Sequence, residues 1–260
     1  MKKITTILLL LLISHLSFAQ FGNIWALPIN KGIDFNGAGL TCRSSIHYGN
    51  SSTSVCDGNG QLLFYSDNLT FRNKYDSIMP NSTNLDWVNT STVYVNQGVI
   101  AVPDPANLNR YYSFNLSIEN NSAAGNSKMY YNIIDMTLDS GLGDLLLKNQ
   151  YIDGNFVEKV AATRHCNGRD WWIVTHKCTS DAYYSYLLDI NGFNPIPVIS
   201  HSGLFYRDTV IASNISGSYE LIDYEYEGAL KISPNGKYLF FTSCQRPGGA
   251  GSCDLYFSSL

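Results

Sequence analysis

ALKISPNGKYLFFTS, residues 229–243, contains a short apolar strand, a tight polar turn and a run of bulky apolar residues. Three earlier stretches repeat this order: TSVCDGNGQLLFYSD (53–67), IAVPDPANLNRYYSFNLS (100–117) and AATRHCNGRDWWIVTHK (161–177). Asn-Gly tolerates the positive φ of a two-residue hairpin loop, so hairpins are predicted at Asn59-Gly60, Asn167-Gly168 and Asn235-Gly236. In the second stretch a longer loop, Asp104–Asn109, takes the place of Asn-Gly.

The runs that follow these turns, LLFY, YYSF, WWIV and YLFF, are apolar at consecutive positions. This pattern predicts strands that are covered on both faces. Small sheets covered on both faces and repeated every ~50–65 residues are typical of propeller blades. The predicted fold is therefore all-β, a β-propeller of four-stranded antiparallel blades with about four blades present.

Composition and the first residues predict an exported protein. The chain is 45% hydrophobic and only 15% charged, its formal net charge is −4, and no basic run suggests nucleic acid as a partner. Residues 1–19 have the form of a secretory signal peptide, with Lys2 and Lys3, an apolar stretch Ile7–Ile13 and the cleavage motif Ser17-Phe18-Ala19. The apolar stretch is shorter than the ~20 residues of a membrane span, so no span is predicted.

Strand and turn signals divide the mature chain into an N-terminal segment and a propeller. Residues 20–51 read as one short strand plus a loop, and residues 52–260 as blades at about 52–92, 97–150, 157–202 and 227–260, with a hairpin insertion at 203–226. The last blade lacks its outer strand, so an incomplete ring is expected, with Leu239, Phe241, Leu255 and Phe257 on its exposed side. The alternative is that an N-terminal strand, NIWALPI, closes a small ring by pairing with DLYFSSL.

Six cysteines in an exported chain predict disulfide bonds. Cys244 and Cys253 flank the loop QRPGGAGS of a predicted hairpin, which places them at disulfide distance. Cys166 and Cys178 stand at opposite ends of one strand and are too far apart to pair. A bond between Cys42 and Cys56 stays open.

No catalytic, cofactor or metal site is predicted. The histidines beyond the signal peptide, at positions 47, 165, 176 and 201, lack metal-ligand spacing, and the chain contains no G-x-S-x-G or H-E-x-x-H motif. Asp223, Glu225 and Glu227 alternate with tyrosines, a pattern compatible with glycoside chemistry, but the arginine cluster of a sialidase does not accompany them. The chain is therefore predicted to be non-enzymatic, with two enzymatic alternatives: a propeller-type hydrolase, or the N-terminal propeller of a peptidase.

ISPNGKYLFFTS resembles the S-P-D/N-G-K-x-L-x-F repeat of WD40-like propellers of the PD40 or TolB type. Together with GIDFNGAGLT, DGNGQLLFYSD, MYYNIIDMTLDSGLGD and EKVAATRHCNGRDWWIVTHK, it resembles the propeller at the N-terminus of large secreted proteins associated with gliding motility and type IX secretion. The resemblance implies a binding or scaffold domain of an extracellular or cell-surface protein, with a protein or glycan as the ligand. Such proteins carry a sorting domain far downstream, which residues 1–260 do not contain, so a periplasmic TolB-like interaction module is the alternative.

The same resemblance implies sites of O-glycosylation. Asp76-Ser77-Ile78 and Asp208-Thr209-Val210 are similar to the Asp-Ser/Thr-apolar signal of such bacteria, which makes Ser77 and Thr209 the candidate acceptors.

Overall fold

The structure, a computed structural model, describes residues 23–27, 31–37, 41–43, 51–86, 95, 97–117, 127–178, 180–202, 210–213, 219–222, 229–233, 235–244 and 253–259. Within these ranges the predicted all-β class is confirmed, because every sheet is antiparallel and the one helical element is a 3-10 turn at Asp139–Gly141. This described part contains no helix of the length and apolarity that a membrane crossing requires.

The strands of the described residues form five sheets. The first contains β1 (Ile24–Leu27), β2 (Lys31–Asp34) and β3 (Thr41–Arg43), and the second β4 (Thr53–Cys56), β5 (Leu62–Ser66) and β6 (Phe71–Asn73). The third has eight strands: β7 (Val99–Asp104), β8 (Asn107–Ser117), β9 (Ser127–Asp135), β10 (Asp144–Arg164), β11 (Trp171–Lys177), β12 (Ala182–Asp189), β13 (Gly192–Phe193) and β14 (Val198–His201). A hairpin of β15 (Val210–Ser213) and β16 (Tyr219–Ile222) precedes the last sheet, β17 (Leu230–Ile232), β18 (Tyr238–Cys244) and β19 (Cys253–Ser259).

The N-terminal segment differs from its prediction. Three strands occupy residues 20–51, so the expectation of one short strand plus a loop is wrong. Ile24 and Ala26 are buried, whereas Trp25 between them is half exposed, as expected for a strand with one covered face. β1 pairs with β2, and β19 pairs with β18, so the described strands do not show the ring closure that was the alternative prediction.

The hairpin turns are wider than predicted. Gly60 and Gly168 have the expected positive φ, 79° and 72°, but Asn59 and Asn167 do not. In the turn at Asn167-Gly168, the N–H of His165 donates to the carbonyl of Asp170, which closes a four-residue loop rather than a two-residue one. The loop expected at Asp104–Asn109 is in fact shorter, because Asp104 and Asn107 are cross-strand partners.

The long strand β10 joins two halves of the eight-stranded sheet. Its N-terminal part pairs with β9 and its C-terminal part with β11, and Phe156 is the residue at which the two pairings meet. Register shifts and positive φ angles at Asn149 and Asn155 bend the strand before this point. The sheet therefore folds back on itself at Phe156.

Four apolar clusters fill the spaces between successive sheets or sheet halves. The first joins β1 to β4 and β5, the second joins β4–β6 to β8–β10, the third joins β7–β9 to β10–β12, and the fourth joins β10–β12 to β17 and β18. The third is rich in aromatic rings, with Phe114, Tyr131, Tyr186 and Phe193 in mutual contact. Face-to-face burial of this kind supplies the main stabilisation of stacked sheets.

The first strands of successive sheets are linked by hydrogen bonds. Ser54 donates to the carbonyl of Ile24 at 2.6 Å, and the N–H of Ala101 donates to Oγ1 of Thr53 at 3.2 Å. The Gln97 side chain accepts from the N–H of Leu230 at 2.6 Å and donates to its carbonyl at 2.9 Å. The Gln97 side chain thus makes the two hydrogen bonds to β17 that a neighbouring strand would make.

A ladder of buried asparagines crosses the eight-stranded sheet. The Asn115 amide donates to Oδ1 of Asn68 at 2.9 Å and accepts from Asn132 at 3.0 Å and from Ser113 at 2.6 Å. Asn132 in turn accepts from the N–H of Asn149 at 3.0 Å. The side chains of Ser113, Asn115 and Asn132 have no exposed surface, so these bonds satisfy groups that water does not reach.

The hydroxyl of Tyr186 is buried in the aromatic cluster and has no hydrogen-bond partner among the described residues, and burial raises the pKa of this phenol. We expect Tyr186→Phe to raise the melting temperature, because removing an unsatisfied buried hydroxyl recovers up to about 1 kcal/mol. Tyr75→Phe, at a position that is 68% exposed, is the control and should change nothing measurable by thermal denaturation. A lower melting temperature for Tyr186→Phe would contradict this assignment.

Candidate binding cleft

A cleft of about 880 Å³ lies between the last sheet and the half of the eight-stranded sheet that contains β10, β11, β12 and β14. This volume is within the roughly 300–1,000 Å³ of ligand pockets. The residues that line it come from all these strands and include Thr163, Trp172, Val174, Tyr183, Ser185, Val198, Ser200, Ile232, Leu239 and Ser258. The turns at 166–168 and 235–236 also contribute to its walls.

Strand alternation decides which side chains face the cleft. Thr163 is the cross-strand partner of Trp172, and Tyr183 is the partner of Ser200. Trp172 and Tyr183 pack in the apolar cluster between the two sheets, and directly opposed residues project from the same face. Thr163 and Ser200 therefore face the cleft beside these two aromatic rings.

The side chain of Arg164 lies on the face of β10 opposite to that of Thr163. It is the cross-strand partner of Trp171, and its guanidinium carbon lies 4.2 Å from the centre of the Trp171 ring. Arg164 also donates to the carbonyls of Gly168 and Arg169, at 3.1 and 3.2 Å. Burial lowers the pKa of this guanidinium, and Arg164 borders the cleft while its charged group is held against the turn and the Trp171 ring.

The turn that borders the cleft is held by a buried carboxylate. Asp170 accepts from Nε of Arg169 at 2.7 Å and from the side-chain amide of Asn167 at 2.6 Å. The hydrogen bond from Arg169 lowers the pKa of the Asp170 carboxyl, with a smaller contribution from Asn167. The backbone N–H of Asn167 donates to Nδ1 of His165, so the neutral imidazole carries its proton on Nε2. The bonds to Asp170 fix the turn, and the bond from Asn167 orients the His165 ring, whose centre lies 5.8 Å from that of Trp172.

Several polar groups on the cleft side have no hydrogen-bond partner among the described residues. These groups are the hydroxyls of Thr163, Ser185 and Ser200 and the indole N–H of Trp172. Within the same described residues, no aspartate or glutamate lines the cleft. The cleft therefore combines an aromatic and aliphatic wall with neutral hydrogen-bonding groups that are available to a ligand.

The predicted disulfide, Cys244–Cys253, stays a prediction, although the two residues are cross-strand partners at the end of β18 and the start of β19. Cys56 and Cys166 form no disulfide, so the open possibility of a Cys42–Cys56 bond is not realised. Ser77 is exposed after a turn, and its glycosylation stays a prediction. Thr209, His47 and the acidic residues at 223, 225 and 227 lie outside the described residues.

The three described histidines occupy different surroundings. His165 borders the cleft, His176 is buried edge-on against the ring of Tyr183, and His201 pairs with Asp181 at 2.7 Å. The hydrogen bond from His201 lowers the pKa of the Asp181 carboxyl. Among the residues that the structure describes, no three histidine, cysteine or acidic side chains are grouped so as to hold a metal ion.

Cysteine accessibility gives a direct test of these placements. Cys166 is exposed at a hairpin turn, whereas Cys56 has no exposed surface and burial raises the pKa of its thiol. We expect iodoacetamide to modify Cys166 in the native protein and Cys56 only after unfolding, because the thiolate is the reactive form. Peptide mass spectrometry after a short pulse measures both sites, with the denatured and reduced protein as the control. Equal rates at the two residues in the native protein would contradict the burial of β4.

The sequence analysis did not identify the cleft residues. The signal for them is weak: Ser185 and Ser200 are small polar residues at strand positions that share a face with Val174 and Tyr183. Polar residues on an otherwise apolar face of a strand indicate either a satisfied core group or a binding surface. Only the packing of the two sheets distinguishes these alternatives.

The chain matches no model of a known protein family. A search of curated proteins likewise finds no match.

Proposed function

We propose that the chain is a secreted, non-enzymatic β-propeller module that acts as a binding or scaffold domain of a cell-surface or extracellular protein. The observation that carries the proposal is the cleft, in which neutral hydrogen-bonding groups with no partner among the described residues lie beside an aromatic wall. Such a lining is suited to holding a ligand. The described lining has no carboxylate pair of the kind that glycoside hydrolysis uses.

Three features support the propeller arrangement. Each predicted blade range contains an antiparallel sheet or half of one, and each apolar cluster lies between neighbours in chain order. The first strands of successive sheets contact one another, and Gln97 links three of them through its main chain and side chain. Sheets that radiate from adjoining first strands are the arrangement of a propeller, in which β1–β3 would be a further blade. A crystal structure in which the first strands do not surround a common axis would overturn this proposal.

Export is tested by cell fractionation. We expect the mature protein to begin at Gln20 and to occur outside the cytoplasm, since residues 1–19 have the form of a signal peptide. Recovery of the intact N-terminus in the cytoplasm would contradict it.

Binding is tested with the mature chain on a panel of immobilised extracellular polymers, both glycans and proteins. The proposal expects at least one polymer to retain the protein and to be recovered unchanged, as measured by mass spectrometry of the released material. Retention of none would contradict the binding role, and cleavage of a retained polymer would favour an enzyme instead.

A further inference from the structure

We propose that the cleft binds a neutral oligosaccharide, with Trp172 as the stacking platform and Thr163, Ser185 and Ser200 as hydrogen-bonding partners. The inference rests on the proposed binding function and specifies the ligand class of the same site.

The arrangement of the face determines where these groups lie. Thr163 lies directly across from Trp172, and Ser185 lies directly across from Val174, the next residue of β11 on this face. Opposed residues on one face have Cβ atoms about 4.5–5.5 Å apart, and diagonal neighbours about 7–8 Å apart. The two hydroxyls therefore flank the Trp172 ring at distances that one sugar ring and its substituents span.

The chemistry of the face matches a saccharide. A sugar ring presents apolar C–H groups to an aromatic face and hydroxyls at its rim, which both donate and accept hydrogen bonds. Serine and threonine hydroxyls also donate and accept, and the Trp172 indole N–H adds a donor. These side chains make no hydrogen bond to any described residue. A ligand can therefore form hydrogen bonds with them without breaking a protein contact.

The electrostatics of the face favour a neutral ligand over an acidic one. The guanidinium of Arg164 stacks on Trp171, on the opposite face, and the His201 imidazole is paired with Asp181. Arg164, His165 and His201 border the cleft, but each already has a partner. The Arg164 guanidinium donates to the carbonyls of Gly168 and Arg169, and Nδ1 of His165 accepts from the N–H of Asn167. A carboxylate in the cleft would lose hydration without gaining a matched positive partner.

A peptide is less well matched. Peptide recognition by sheets uses the unpaired main-chain groups of an edge strand. The polar groups of this cleft are side chains that project from the face of the sheet, between two sheets. They are placed for a compact ligand with hydroxyls on several sides.

The test uses the full mature chain and isothermal titration calorimetry. Laminaripentaose, cellopentaose and mannopentaose are the neutral probes, pentagalacturonic acid is the acidic probe, and a mixture of capped neutral hexapeptides is the peptide probe. Ser200→Trp fills the cleft from an exposed position, and Ile199→Trp places the same bulk on the other face of β14, so it is the matched control. Trp172→Ala removes the platform, and circular dichroism verifies that each variant is folded.

At least one neutral pentasaccharide should bind, and both Ser200→Trp and Trp172→Ala should weaken it about 10-fold or more, whereas Ile199→Trp should not. Binding of the acidic or peptide probe with the same sensitivity to Ser200→Trp, and no binding of neutral sugars, would overturn the ligand class but leave a binding module. Polymer binding that is unaffected by Ser200→Trp would show that the module binds at another surface. If no probe and no panel polymer binds, the proposed binding function fails as well.

Discussion

Asn115→Ala is expected to lower the free energy of unfolding by about 3–5 kcal/mol. Each buried group that loses its hydrogen bond to Asn115 costs about 1–3 kcal/mol. Asn115 bonds to Asn68, Asn132 and Ser113, all of which are buried. The substitution therefore removes one hydrogen bond each from a buried amide, a buried carbonyl oxygen and a buried hydroxyl. Chemical denaturation monitored by tryptophan fluorescence measures the loss.

Asn109→Ala is the matched control, since it makes the same change on the same strand, β8. Asn109 is exposed, and its side chain makes no hydrogen bond to any described residue. We expect its loss of stability to be below about 0.5 kcal/mol. A loss of less than about 1 kcal/mol for Asn115→Ala would show that the ladder does not hold the sheet together.

The ladder also shows why part of the fold could not be predicted from the sequence. Asn68 and Asn115 each begin an Asn-x-Ser/Thr triplet, and a polar residue of this kind is usually placed at the surface. Both are buried and bond to each other, and Asn68 adopts a positive φ of 64°. Neither the backbone angle nor the contact is written in a local pattern.

The positions of several turns, which depend on neighbouring residues, were predicted, although the length of the loops was not. The hairpins predicted at Asn59-Gly60, Asn167-Gly168 and Asn235-Gly236 each join two paired strands, and the glycine of each turn adopts the expected positive φ. The hairpin expected at 203–226 is present as β15 and β16. Turn chemistry and strand period are properties of a few consecutive residues, so a single sequence contains them.

Features that depend on contacts between sheets were not predicted. The segment of β1–β3 was predicted to be one short strand plus a loop, because its strands are short and its apolar residues are isolated. The cleft was missed for a related reason, since its walls come from strands whose spacing only the packed sheets determine. Trp171 and Trp172 are adjacent in sequence, yet one packs in the aromatic cluster and the other toward the last sheet.

The run YLFF illustrates the same limit on strand β18. It was predicted to be covered on both faces, but Leu239 and Phe241 are buried while Tyr238 and Phe240 are exposed. The expectation that Leu239, Phe241, Leu255 and Phe257 share one exposed side is therefore wrong for the first two. Leu255 and Phe257 are each 70% exposed and lie on the face of Phe240.

Phe241→Ala is expected to destabilise the protein by about 3–4 kcal/mol, because it empties a filled site in the apolar cluster between the last two sheets. The Phe241 side chain is 6% exposed, and its ring stacks on Tyr256 with centroids 5.8 Å apart.

Phe240→Ala makes the same change one residue earlier, where the ring is 37% exposed and contacts Phe257 at 6.2 Å. Its cost should be clearly smaller than that of Phe241→Ala, because less covered surface is lost and no enclosed cavity is left. Chemical denaturation of the two variants compares the faces of one strand directly. The exposed face should also bind a dye that reports apolar surface, and Phe240→Ala should reduce that binding whereas Phe241→Ala should not. Equal losses of stability would show that both faces of β18 are covered, as the run of four apolar residues first suggested.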